Sequence, residues 1–237
     1  MRIGLLECDH VADRFRAIAG DYREMFPALF ARYAPAISFV NYDVCNGDFP
    51  ASIEACDGYL CTGSRFSVYQ QEDWILSLKG FVRRLAEAQH PYVGICFGHQ
   101  MLGEALGSRV ARAETGWGVG VRAMEIVRRE PWMEPAAASC RLEYMHQDQV
   151  HDLPPDGVLL ARAAHCPIAM FRVGPALLGI QAHPEFTAPY AEALLRDRRQ
   201  RIGDAPTDDA LASLASPTDE GLLVAWIERF LLQATTK

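Results

Sequence analysis

The stretch 92-YVGICFGHQ-100 constrains the fold more than any other part of the chain. β-Type residues run into it, and a helical pattern from Phe97 to Leu106 runs out of it. Cys96 stands at the junction, with Gly94 two residues before it and Gly98 two residues after. In a strand-turn-helix elbow the turn residue is strained, and its neighbours at those two spacings come so close that both are best as glycine. Such an elbow lifts the cysteine above the C-terminal edge of a parallel sheet, where open α/β folds bind ligands. The sulfur then lies at a helix N-terminus, whose dipole and free N–H groups favour thiolate over thiol. The N–H of Phe97 is left free to donate to an oxyanion. The plain alternative is a buried structural cysteine in a glycine-rich turn.

The segments before the elbow alternate as this requires. Residues 2–6 form an apolar run of the buried parallel type. Tyr22, Met25, Phe26, Leu29, Phe30 and Tyr33 recur at helical spacing, with Pro27 weakening the middle of that helix or marking its first turn. Strands follow near 37–42 and 58–64. Ile75, Leu78, Val82 and Leu85 define a helix, and 92–96 is the elbow strand. Strands alternating with helices in this way predict an α/β fold of three layers, with a mostly parallel central sheet and crossover helices.

From about residue 108 the character changes. Six strand-like stretches, at 108–112, 119–127, 141–146, 157–163, 168–173 and 176–183, are expected as a small mixed or antiparallel extension packed on the first sheet. Helices return at 187–201 and 221–233, and 203–220 reads as a polar loop. The expectation is a single domain over 1–237, with a C-terminal helical extension from about 187 and only an internal seam near 113.

A cysteine nucleophile needs a base, and the base needs an orienter. The strand-like 179-GIQAHPEF-186 ends in His183-Pro184-Glu185. Residues two apart on an extended strand share a face, so Glu185 would hold the His183 imidazole in one tautomer, with Pro184 stiffening the pair. Taken alone, such a pair is an ordinary surface feature. A second oxyanion donor belongs on a neighbouring strand-end loop. The turn 62-TGSR-65 follows such a strand, and Gly63 lets its N–H approach a reacting carbonyl.

The net charge of -7 argues against a nucleic-acid-binding surface. The basic run 196-RDRRQR-201 reads as a solvated helix face. No apolar run approaches the roughly 18 residues that span a bilayer. The N-terminus reads as a first strand without a signal sequence, and the seven cysteines form no CxxC pair. These features point to a soluble protein of the reducing cytoplasm, with no membrane partner. Around His146, Asp148 and His151 no Cys/His pair stands at zinc spacing, so no metal is expected, nor any other cofactor.

Together 58-GYLCTGS-64, 94-GICFGHQMLGEALG-107, 144-YMHQDQV-150 and 179-GIQAHPEF-186 resemble the class I glutamine amidotransferases of the Cys-His-Glu type, in the expected order over roughly residues 1–200. Within that class the chain looks most like the stand-alone, GMP-synthase-like branch that includes γ-glutamyl peptidases. The resemblance implies the flavodoxin-like fold of that class. It implies Cys96 as nucleophile, His183 as base and acid, Glu185 as orienter, and the N–H groups of Gly63 and Phe97 as oxyanion hole. It places Gln100 against the glutamyl moiety and gives its charged α-groups to the 114–118 loop with Trp117 and the 146–148 turn with Asp148. His99 and His146 are expected to bond neighbouring loops. Arg65 departs from the family pattern. It would either recognise a second carboxylate on the substrate or stand as a solvated rim charge.

The implied reaction is hydrolysis of a γ-glutamyl amide, in glutamine or a γ-glutamyl conjugate, through a Cys96 thioester. Neither GxxxxGK[ST] nor SGGxDS occurs in the chain. One alternative is therefore a glutaminase subunit that supplies ammonia to an ATP-dependent synthetase partner. Another is a catalytically silent binding module of the same fold. A hydrolase of the dienelactone type shares the elbow, but there the acid precedes the histidine by a longer stretch.

Overall fold

The computed structural model describes residues 1–235. Five parallel strands form one half of a nine-stranded sheet. Chain order runs β1 (Arg2–Leu6), α1 (Asp13–Ala19), α2 (Tyr22–Tyr33), β2 (Ser38–Tyr42), β3 (Gly58–Cys61), α3 (Asp73–Glu87), β4 (Tyr92–Ile95) and α4 (Phe97–Ala105). Then come β5 (Val110–Arg112), β6 (Gly118–Ile126), β7 (Ser139–His146), β8 (Asp148–Val150), β9 (Gly157–Ala163), β10 (Cys166–Val173) and β11 (Leu177–Ile180). The chain ends in α5 (Ala188–Asp197), α6 (Arg199–Ile202), α7 (Asp204–Ser213) and α8 (Glu220–Thr235). The sheet order is β2-β1-β3-β4-β11-β10-β9-β6-β7, parallel from β2 to β11 and antiparallel beyond.

Alternation along the strands feeds two cores. Ile3, Leu5, Leu60, Val93 and Ile95 face the core under α2, α5 and α8, while Leu6, Tyr59, Cys61 and Tyr92 face the core under α3 and α4. Helix α3 buries Ile75, Leu78, Phe81, Val82 and Leu85 at helical spacing. Helix α2 carries Pro27 in its interior, and a capping box holds its start: Asp21 accepts from the first turn, and Glu24 accepts from the Asp21 N–H at 2.5 Å.

The later strands differ from the expected layering. Most continue the same sheet edge to edge, and only β5 and β8 form a separate antiparallel pair. Strand β8, three residues long, and helix α1, which buries no residue, gave no periodic apolar signal. The helical run after 187 breaks at Arg198 into α5 and α6.

The stretch 203–220 is a correction: it is not a loop but carries α7. This helix buries only Thr207 and Ala210, so it shows no apolar stripe to read. Close approach to the sheet fixes it instead. A Cβ on Gly120 of β6 would lie 2.5 Å from Ser213 Oγ and 2.8 Å from Ala210 Cα, and the Val121 N–H donates to Ser213 Oγ at 2.9 Å. The seven cysteines are free. Among the described residues, no helix is long and apolar enough to cross a membrane.

Candidate active site

Cys96 has φ 51° and ψ -99°, a left-handed strain that only a tightly held turn maintains. It follows β4 and caps α4. The two glycines leave room for the elbow. A Cβ on Gly94 would overlap the Gly98 carbonyl, and one on Gly98 would lie 2.5 Å from the Cys61 oxygen. Strands β3 and β4 and helix α4 thus touch backbone to backbone beneath the sulfur.

His183 and Glu185 follow β11, the strand beside β4. The His183 ring bonds Glu185 Oε1 through Nδ1 at 2.7 Å, which leaves Nε2 as its second nitrogen. Phe186 stacks on the imidazole at 4.0 Å and 13°, and the His183 N–H donates to the Glu143 carbonyl at 2.8 Å. Burial works against a charge on His183. The Glu185 carboxylate, hydrogen-bonded to the ring, and the nearby Cys96 override it and push its pKa up to about 10.

Gly63 lies against both groups: a Cβ there would stand 2.8 Å from His183 Cε1 and 3.6 Å from Cys96 Cβ. Its N–H donates to no acceptor among the described residues. Phe97 is the first residue of α4, so its N–H has no partner within the helix. Both residues thus lie beside Cys96.

Two clefts meet at Cys96, sharing Ser64, Arg65, Met145, Arg198 and Arg201 as their common rim. The first, of about 270 Å³, collects Gln100, Trp117, His146 and Asp148. Gln100 Nε2 donates to the Asp148 carbonyl at 2.8 Å and to Gln181 Oε1 at 3.1 Å. The Asp148 carboxylate accepts from Ser67 Oγ at 2.5 Å and Tyr69 Oη at 3.3 Å. His146 Nδ1 donates to the Asp148 carbonyl at 2.9 Å, and burial lowers its pKa to about 3, so the ring is neutral. His99 lines neither cleft. It packs edge-on to Phe171 at 5.0 Å in the core, where burial lowers its pKa to about 3.

The second cleft, of about 210 Å³, has His183 on its wall together with Phe15, Phe186, Tyr190 and four arginines. Arg14 is held by Asp197 at 2.9 Å, and Arg65 stands 3.6 Å from Asp9. Among the described residues, Arg198 and Arg201 have no carboxylate partner. Arg201 lies over the Trp117 ring at 5.5 Å. This corrects the reading of 196–201 as a purely solvated face. Arg196 and Arg199 do pair outward, with Glu192 and with Asp204 and Asp208, but Arg198 and Arg201 turn to the mouth of the site. The break between α5 and α6 at Arg198 makes this possible, and a helical wheel drawn through 187–201 hides it. Met145 and Glu143 were also missed; both belong to the strand leading into the 146–148 turn.

The chain is similar to several known proteins. The family model "Glutamine amidotransferase class-I" matches residues 52–199. A γ-glutamyl peptidase 4 of Arabidopsis thaliana is 31% identical over 174 residues, 70% of this chain and 68% of that protein. A glutamine-hydrolysing GMP synthase subunit of Pyrococcus abyssi is 32% identical over 116 residues, 48% of this chain and 61% of that one. The crystal structure of a glutamine amidotransferase from Thermotoga maritima superposes with a TM-score of 0.77 at 20% identity, covering 100% of this chain and 99% of the other. The chain belongs to the class-I glutamine amidotransferase family.

Proposed function

We propose that the protein hydrolyses γ-glutamyl amides whose amine portion carries a carboxylate, with Cys96 as nucleophile. The observation that carries this reading is the second cleft. His183, the proposed proton donor, is on its wall and not on that of the first, and the unpaired Arg198 and Arg201 stand on the rim the two clefts share. The leaving amine must lie where the proton is delivered, so the γ-glutamyl group belongs in the cleft of Gln100, Trp117 and Asp148. Arg65, Arg198 and Arg201 then meet an anionic group on the departing side.

The chemistry runs in two halves. The Cys96 thiolate adds to the δ-carbonyl carbon, and the oxyanion accepts from the Gly63 and Phe97 N–H groups. The C–N bond breaks as His183 Nε2 passes its proton to the amine, leaving a γ-glutamyl thioester. Acylation removes the thiolate charge, one of the two groups that raise the His183 pKa, so the imidazole can act as a base. It takes a proton from water. Hydroxide adds to the thioester, the C–S bond breaks, and glutamate leaves.

The test is a mass-spectrometric release assay without any partner, on glutamine, a neutral γ-glutamyl alkylamide and a γ-glutamyl peptide ending in a carboxylate. The peptide is expected to be preferred over the alkylamide by roughly tenfold to a hundredfold, the scale of one charge-assisted contact. In Arg198→Gln/Arg201→Gln that preference should vanish through a raised KM, with turnover of the neutral amide unchanged. A wild type that prefers glutamine sinks the leaving-group assignment. Slow turnover of glutamine alone favours the second reading, a glutaminase subunit for a synthetase partner, which the likeness to a GMP synthase subunit supports.

A further inference from the structure

A larger cleft, of about 550 Å³, opens on the far side of the His183–Glu185 pair, between α2, β7, the 184–188 turn and the loop before α8. Its volume is in the range of small-molecule sites. Met25, Leu29, Phe186 and Leu214 supply an apolar wall. Four carboxylates and a single guanidinium, Arg32, border it, so its field favours a cation. Two of the carboxylates are already engaged. Glu24 accepts from the Asp21 N–H at 2.5 Å, and Glu220 accepts from Tyr33 Oη at 3.0 Å and Thr218 Oγ1 at 2.6 Å.

Glu143 and Glu185 are different. Glu143 is 3% exposed, and among the described residues its carboxylate accepts no hydrogen bond. Glu185 gives Oε1 to His183, while its Oε2 is buried without a partner. A buried acceptor left unpaired is costly unless a donor comes to it. Burial raises the Glu143 pKa to about 7, against the pull of His183 and Arg122, so an arriving cation finds a carboxyl ready to ionise.

We propose that this cleft binds a small amphipathic ammonium, of the primary alkylamine class, with its nitrogen on Glu143 and its chain along Met25, Leu29 and Leu214. The site is separate from the one that receives the leaving amine, because the His183–Glu185 pair stands between them. An occupant adds a positive charge behind Glu185 and works against the imidazolium of His183.

Isothermal titration calorimetry with n-hexylamine and n-hexanol tests this on protein whose Cys96 has first been alkylated with iodoacetamide, which closes the other site. Hexylamine is expected to bind at least tenfold more tightly than hexanol, the scale on which a charge-assisted bond outweighs a neutral one. Glu143→Gln should weaken hexylamine roughly tenfold, and Leu29→Trp, which fills the cleft, should abolish binding. The Leu29 variant carries the test if the Glu143 variant does not fold. Equal binding of amine and alcohol, binding untouched by Leu29→Trp, or binding lost on alkylation of Cys96 each overturns the proposal. None of these outcomes depends on which γ-glutamyl compound is the substrate.

Discussion

Cys96→Ala is expected to lower glutamate release by at least about 10⁴-fold while leaving the melting temperature within a few degrees of wild type. The loss is this large because no second route to the thioester exists, and the oxyanion donors Gly63 and Phe97 then serve only water. The fold is spared because alanine keeps the Cβ that the elbow already accommodates at φ 51°. An electrophilic glutamine analogue should label wild type at Cys96 and leave the variant untouched. Residual turnover within tenfold of wild type would remove the cysteine from the mechanism and revive the binding-module reading. Glu185→Gln belongs with this experiment. Carboxylate loss at the equivalent place in other triads costs roughly 10⁴-fold by allowing the wrong imidazole tautomer. It should also show in stability. His183 is raised in the folded state from about 6.5 to about 10, so its contribution is complete below the lower value and lost as pH rises through the upper one. The melting-temperature gap between wild type and Glu185→Gln should therefore be widest near pH 6 and narrow toward pH 10.

What the sequence discloses about such a site follows from how local each constraint is. The elbow is legible because Gly94, Cys96 and Gly98 act within five residues, and the demand for glycine is steric. His183 and Glu185 are legible for the same reason, since the strand geometry that joins them is a two-residue relation. Strands β1, β3 and β4 read correctly because burial on both faces makes them continuous apolar runs, whereas β11, equally buried and parallel to β4, was expected in the mixed or antiparallel extension. Helix α7 was not legible, because backbone contact with Gly120, some ninety residues earlier, holds it in place of an apolar stripe. Arg198 and Arg201 were missed for a related reason. A basic run on a helix carries no sign of which arginines a broken helix axis will turn inward, and the clefts they border are assembled from stretches far apart in the chain, from Asp9 to Arg201. Glu143 lay hidden in a strand whose neighbours are apolar, and only the approach of His183 gives it a role. The proposed nucleophile, base and orienter thus come from local patterns, while the surfaces proposed to choose the substrate do not.

Gly98→Ala is expected to destabilise the protein by about 3 kcal/mol or more, which in a chain of this size lowers the melting temperature by roughly 6–12 °C. The added methyl would lie 2.5 Å from the Cys61 oxygen and 2.9 Å from Cys61 Cβ. Neither neighbour can yield cheaply. Cys61 ends β3, which is hydrogen-bonded on both sides within the sheet, and the Gly98 N–H itself donates to the Thr62 carbonyl at 3.2 Å. The alternative is for α4 to lift away from β3. That movement would carry the Phe97 N–H and the Cys96 sulfur out of register with Gly63, so activity should fall even in molecules that remain folded. Gly94→Ala should behave in the same way, since its methyl would overlap the Gly98 carbonyl. Gly80→Ala supplies the opposite case on the same scale. Gly80 lies within α3, its added methyl meets nothing within 4 Å, and helix propensity alone should raise stability by about 0.5–1 kcal/mol with activity unchanged. Thermal melts of the three variants, with turnover measured well below each transition, separate crowding at the elbow from any general cost of replacing glycine. A Gly98→Ala protein that melts with wild type and turns over normally would show that the elbow is not under the steric constraint that places Cys96 at its apex.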